Sequence, residues 1–190
     1  MAGKGNVFHL NKEIVFDVFH HHPQPLPVAK AYLYYFLLKV SRHLPELRPF
    51  NMEEDFRGFS KTLEILEKMG YLESEGEGEE KTYRLGKKRK LPRRLSRSLW
   101  RVLQHMDEHL DQDLSTEDFL SLAGLILLKR RFPFLKTQEL QVALEKLFEI
   151  RQPYRRVEEL SSLAEEVNLV IEKFTKRRQV GFETAKQALA

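Results

Sequence analysis

The chain contains no cysteine, which excludes a disulfide scaffold and any thiolate metal centre. It also has no apolar run of membrane length. The longest, Ala31 to Leu38 (AYLYYFLL), falls far short of the roughly 20 residues a spanning helix needs. No apolar signal core opens the sequence, so a cytoplasmic protein with no membrane partner is expected. A phosphate-binding glycine loop is missing as well, because Gly76 and Gly78 lie among glutamates that would repel phosphate. No Ser/His/Asp set stands out, and no enzyme activity, cofactor or small-molecule ligand is expected. No internal repeat is visible.

The sequence does have enough apolar residues, 42%, to bury a core, which argues against wholesale disorder. Its charge is unevenly placed. Residues 1–86 carry 11 bases and 13 acids, and residues 102–190 carry 13 bases and 15 acids. Between them, residues 87–101 hold 8 bases and no acid. The whole positive excess therefore sits in one short stretch, and such a concentration attracts polyanions.

Histidines offer two metal-like patterns. His20 to His22 form a run flanked by prolines with no partner at ligand spacing, which reads as a surface turn. His105-Met106-Asp107-Glu108-His109 matches H-x-x-E-H, with His105 and His109 on one helical face as two zinc ligands would be. The surrounding all-helical pattern does not suit that protease class, and the apolar stripe Leu99, Met106, Leu110 already assigns the buried face. No metal is expected.

Along the chain, Glu13 to Phe19 reads as a short strand or helix, and the prolines after it break regular structure. Leu26 to Leu44 reads as one long helix, apolar nearly all round, of the kind that lies at a domain centre. Asn51 can cap the next helix, with Glu53, Glu54 and Asp55 in its first turn. Gly58 either ends that helix or lies within it, and Gly70 stops it. Tyr71-Leu72-Glu73 and Lys81 to Leu85 read as two strands joined by SEGEGEE.

Beyond Lys90 the pattern is helical. Ser115 opens a helix to Arg131, and a second runs from Thr137 to Ile150. In a last long helix, Val157, Leu160, Leu163/Ala164, Val167, Val170/Ile171 and Phe174 form a coiled-coil-type seam. Intramolecular packing and homodimerisation both account for it. Thr184 to Ala190 reads as a short terminal helix or tail.

The pattern TLEILEKMGYLE…KTYRLG resembles the recognition helix and wing of winged helix-turn-helix regulators, over roughly residues 26–86. The resemblance implies that the helix ending at Met69 is offered to the DNA major groove, with the hairpin along the backbone or minor groove. From Asn51 to Gly70 there are too few residues for a positioning helix, a turn and a full recognition helix. Either the positioning helix is one short turn, or 52–69 is a single helix whose two companions lie upstream. The order of winged helix, aromatic strand, RR-S-R segment and further helical domain is also similar to the kleisin-associated subunits of bacterial condensins, the MukE type. Arg93-Arg94-Leu95-Ser96-Arg97 carries that likeness, which implies an interaction subunit of a larger SMC–kleisin-type complex.

The expected fold is mainly α: an N-terminal winged helix with one β-hairpin over 7–86, a basic linker over 87–98, and a C-terminal helical bundle over 99–190. The expected function is non-enzymatic DNA binding by a regulator or chromosome-associated factor. Lys87, Lys88, Arg89, Lys90, Arg93, Arg94, Arg97 and Arg101 would contact phosphate, with Arg57, Lys61 and Lys68 secondary. Trp100 among them reads as a core or interface residue. Glu75, Glu77, Glu79 and Glu80 on the wing would repel DNA and suit a basic protein partner instead. Val167, Ile171 and Phe174 are the candidate dimer or partner contacts.

Overall fold

The structure is a computed structural model that describes residues 12–42, 51–87, 97–110, 114–150 and 157–189. Seven helices and a small three-stranded sheet make up this part. In order they are α1 (Lys12–His21), β1 (Leu26–Pro27), α2 (Val28–Arg42), α3 (Met52–Lys68), β2 (Leu72–Glu75), β3 (Thr82–Leu85), α4 (Arg97–His109), α5 (Thr116–Arg131), α6 (Thr137–Phe148) and α7 (Val157–Leu189). The fold is mainly α, as its sequence leads one to expect. Among the described residues no helix is long and apolar enough to cross a membrane.

The sheet runs β1-β3-β2, antiparallel throughout. Leu26 pairs with Tyr83 and Pro27 with Thr82, so the residues that open the expected long helix are instead an edge strand. An edge is where a proline is tolerated, because its missing N–H faces away from the ladder. The hairpin pairs Leu72 with Leu85 and Glu75 with Thr82. Ser74 and Glu75 therefore belong to the strand, Lys81 falls in the connection, and that connection passes through Gly76 and Gly78, both at positive φ, with one 3-10 turn at Gly78–Glu80.

α3 is one unbroken helix through Gly58, with α1 and α2 upstream of it. Its start is capped by Asn51, whose side chain accepts from Glu54 N at 3.0 Å, and three acids occupy the first turn. Its end is a Schellman closure: Gly70 N donates to Glu67 O and Tyr71 N to Leu66 O, both at 2.9 Å, with Gly70 at φ 86°. The closure turns the chain straight into β2.

Every residue of α2 from Ala31 to Val40 is buried, because α2 packs against α1, α3 and α5. α5 is buried from Asp118 to Leu128 between α2, α6 and α7. Its Gly124 admits α6 closely: a Cβ there would lie 2.7 Å from Leu144 Cδ2. The described residues of the two expected segments, 7–86 and 99–190, thus share one continuous hydrophobic core.

α7 runs as a single helix through Leu189, where the sequence suggests a separate terminal piece. Its seam is consumed inside the protein. Val157, Leu160, Leu163, Ala164, Val167 and Ile171 are all buried on the side of α7 that packs against α4 and α5. Val167 and Ile171 are wholly buried, so they are core residues and not an open partner surface; the Phe174 side chain lies outside the described set. Asn168 Nδ2 donates to Ile126 O of α5 at 3.1 Å and fixes the register of this packing. Ile171→Ala should lower stability by about 2–5 kcal/mol. Denaturant midpoints at several protein concentrations check this, and the loss should be independent of concentration.

Candidate functional site

Two places bring together residues with functional chemistry. The first is the outer face of α3. Arg57, Lys61 and Lys68 are exposed and follow one another at spacings of four and seven, which aligns them on one helical stripe. Glu64 is exposed on the same stripe. Beside them Ile65 and Met69 are 56% and 48% exposed, the apolar exceptions on a helix whose other face is core.

α3 is held to α2 by a part-buried polar contact. Tyr32 on α2 donates to Asp55 Oδ2 at 2.5 Å, and its ring packs edge-on against Phe56 and Phe59. Burial pushes the Asp55 carboxyl up, against the opposing effects of the Tyr32 bond and the Lys39 charge. Lys39 is only 3% exposed and its ammonium lies 5.2 Å from the centre of the Tyr35 ring. Burial lowers its pKa to about 8, with the Asp55 carboxylate acting the other way.

Around the hairpin, Glu73 pairs with Arg84 at 3.2 Å. Glu75, Glu77 and Glu80 are exposed, and the Glu79 side chain lies outside the described set. Of the basic run, Lys87 and Arg101 are exposed. Lys88, Arg89, Lys90, Arg93 and Arg94 lie outside the described residues. Arg97 opens α4, with its side chain outside the described set.

The second place is where the C-terminal end of α1 meets α4, and the sequence conceals it. His21 and His22 do not form a free surface turn; their side chains are 6% and 10% exposed. His21 Nε2 lies 3.0 Å from Asp107 Oδ2 and His22 Nε2 lies 2.8 Å from Asp107 Oδ1. Tyr34 on α2 donates to the same Oδ1 at 2.6 Å. The rings are fixed by stacking. His22 lies nearly parallel on Tyr34 with centroids 4.6 Å apart, and His21 meets Trp100 edge-on at 4.3 Å.

Burial would push the Asp107 carboxyl up. The polar contacts with His21 and His22 and the hydrogen bond from Tyr34 outweigh it and hold the group well below the usual carboxylate range. His21 Nδ1 is buried with no partner among the described residues. His21, His22 and Asp107 line a cleft of about 860 Å³ together with Lys30, Leu114 and Phe119.

The ligand-spaced histidines of H-x-x-E-H are not brought together. His105 Nδ1 lies 3.7 Å from Glu108 Oε2, whereas His109 Nδ1 lies 3.6 Å from Glu166 Oε2 of α7. The residue of that motif that meets histidines is Asp107, one of its unspecified positions. The one signal for it in the sequence is an acid four residues after Leu103, at the border of a buried stripe. Trp100 is 41% exposed, so it is neither fully core nor free. A comparison with family models, curated proteins and solved structures finds no match for this chain.

The Lys39 ammonium gives a pH signature. Relative to Lys39→Met, the wild type should gain stability as pH rises from about 8 towards 10.5, because the folded form has then lost a proton that the unfolded chain still holds. Below about pH 8 the difference should be level. Urea midpoints of both proteins between pH 6.5 and 10 measure it.

Proposed function

We propose that the protein is a non-enzymatic winged-helix DNA-binding protein, a regulator or chromosome-associated factor, whose α3 enters the major groove. The observation that carries this reading is the order α1-β1-α2-α3-β2-β3 with β1 paired to β3, together with three cations in one stripe on the solvent side of α3. A winged helix requires that order, with a helix leading into the hairpin and its outer face left open. Capping at both ends makes α3 rigid enough to present side chains to a groove. Arg57, Lys61 and Lys68 supply phosphate or base contacts, and Lys87, just after β3, adds a cation at the foot of the wing.

A second reading is a winged-helix interaction subunit of a larger complex, of SMC–kleisin type. Ile65 and Met69, exposed on the same face, and the acidic hairpin favour it, since apolar side chains and carboxylates suit a basic protein surface better than phosphate.

Salt dependence separates the two. Binding to a mixed-sequence duplex, read by fluorescence anisotropy, should weaken steeply between low and moderate salt, with a slope of about 0.9 per phosphate contact. Arg57→Ala/Lys61→Ala/Lys68→Ala should weaken binding and flatten that slope by up to about 3. Absence of duplex binding by the wild type at low salt overturns the DNA reading and leaves the partner reading.

A further inference from the structure

The geometry points to a divalent transition-metal site formed by His21 Nε2, His22 Nε2 and the Asp107 carboxylate, with its remaining coordination positions open to the cleft beside α2 and α5. The three donor groups come within 4.8 Å of one another. Ligand atoms held at about 2.0–2.1 Å from one ion stand roughly 3 Å apart, close to the 2.8 and 3.0 Å observed between the imidazole nitrogens and the carboxylate oxygens. Two imidazoles and one carboxylate are borderline ligands of the kind that zinc and its neighbours prefer.

The orientation of His22 carries the inference beyond proximity. Its Nδ1 lies 2.8 Å from Val18 O, and a carbonyl only accepts, so Nδ1 bears the proton. In the neutral ring Nε2 then presents a lone pair directly to Asp107 Oδ1. Two acceptors face each other at 2.8 Å, which requires a cation between them, either a metal ion or a proton shared by the pair. An Nδ1–H held by a backbone carbonyl, with Nε2 aimed inward, is how proteins orient a metal-binding histidine. Tyr34 donates to the carboxylate and plays the same outer role for Asp107.

The donors come from α4 and from the end of α1 and the residue after it, 85 and 86 residues apart in the chain. An ion here would pin the N-terminal elements to the helix that follows the basic run. The site stands independently of DNA binding, and its test contains no DNA.

The full chain, stripped with a chelator, is titrated with Zn2+ by calorimetry and with Co2+ by absorption and fluorescence. The expected result is one ion per chain, a higher thermal midpoint with Zn2+, and Co2+ quenching of Trp100, the single tryptophan, which lies against His21. His22→Ala and Asp107→Asn should each weaken binding about tenfold or more, while His105→Ala/His109→Ala should leave it unchanged. No saturable binding by the wild type overturns the site, and that measurement needs no variant to fold. Binding that survives both His22→Ala and Asp107→Asn, or that is lost with His105→Ala/His109→Ala, overturns it equally.

Discussion

A helix that is apolar on every side cannot rest on a surface; it needs protein all around it. α2 imposes that requirement here. Its buried run from Ala31 to Val40 is covered by α1, α3 and α5 together. The N-terminal helices and sheet are therefore not a detachable module. Cut away from α5, they would expose a large apolar face to water, an aggregation liability and not a folded fragment. The C-terminal helices supply the missing half of that face. α5 is in turn buried between α2, α6 and α7, so both helices act as central pillars of one core.

That shared core explains which parts of the architecture were legible in the sequence. Local signals read well. Asn51 and Ser115 cap the helices they precede, Gly70 closes α3, and the two strands around the glutamate-rich turn pair as a hairpin. Each is decided by a few neighbouring residues. β1 was not legible, because a two-residue strand next to a proline has no pattern of its own; it exists only because Tyr83 and Thr82 offer it a ladder. Charge and composition mark a linker but say nothing about which apolar faces meet, and the described buried side chains on both sides of it form one cluster. The seam of α7 left two outcomes open, and burial against α5 and α4 decided for the inside of the molecule.

The histidine cluster was invisible for a different reason. Spacing rules find ligands that share one element, and they single out His105 and His109 on α4. The fold sends those two to separate glutamates. It brings Asp107, from between them, to a pair of histidines 85 and 86 residues earlier. Only tertiary packing creates that meeting. Tyr34 could have served as a hint. A phenol buried on a mostly apolar helix needs a polar partner; Tyr32 finds Asp55, and Tyr34 finds the same carboxylate as the histidines.

Asn51 has a second role besides opening α3. Its Nδ2 donates to Glu149 Oε2 at 2.7 Å, and Glu149 is the left-handed residue that ends α6. One small amide thus ties the entrance of one helix to the exit of another nearly a hundred positions downstream. Whatever engages the outward face of α3 therefore does so beside a contact that also closes α6, so the loss of Asn51 would loosen both helix ends at once.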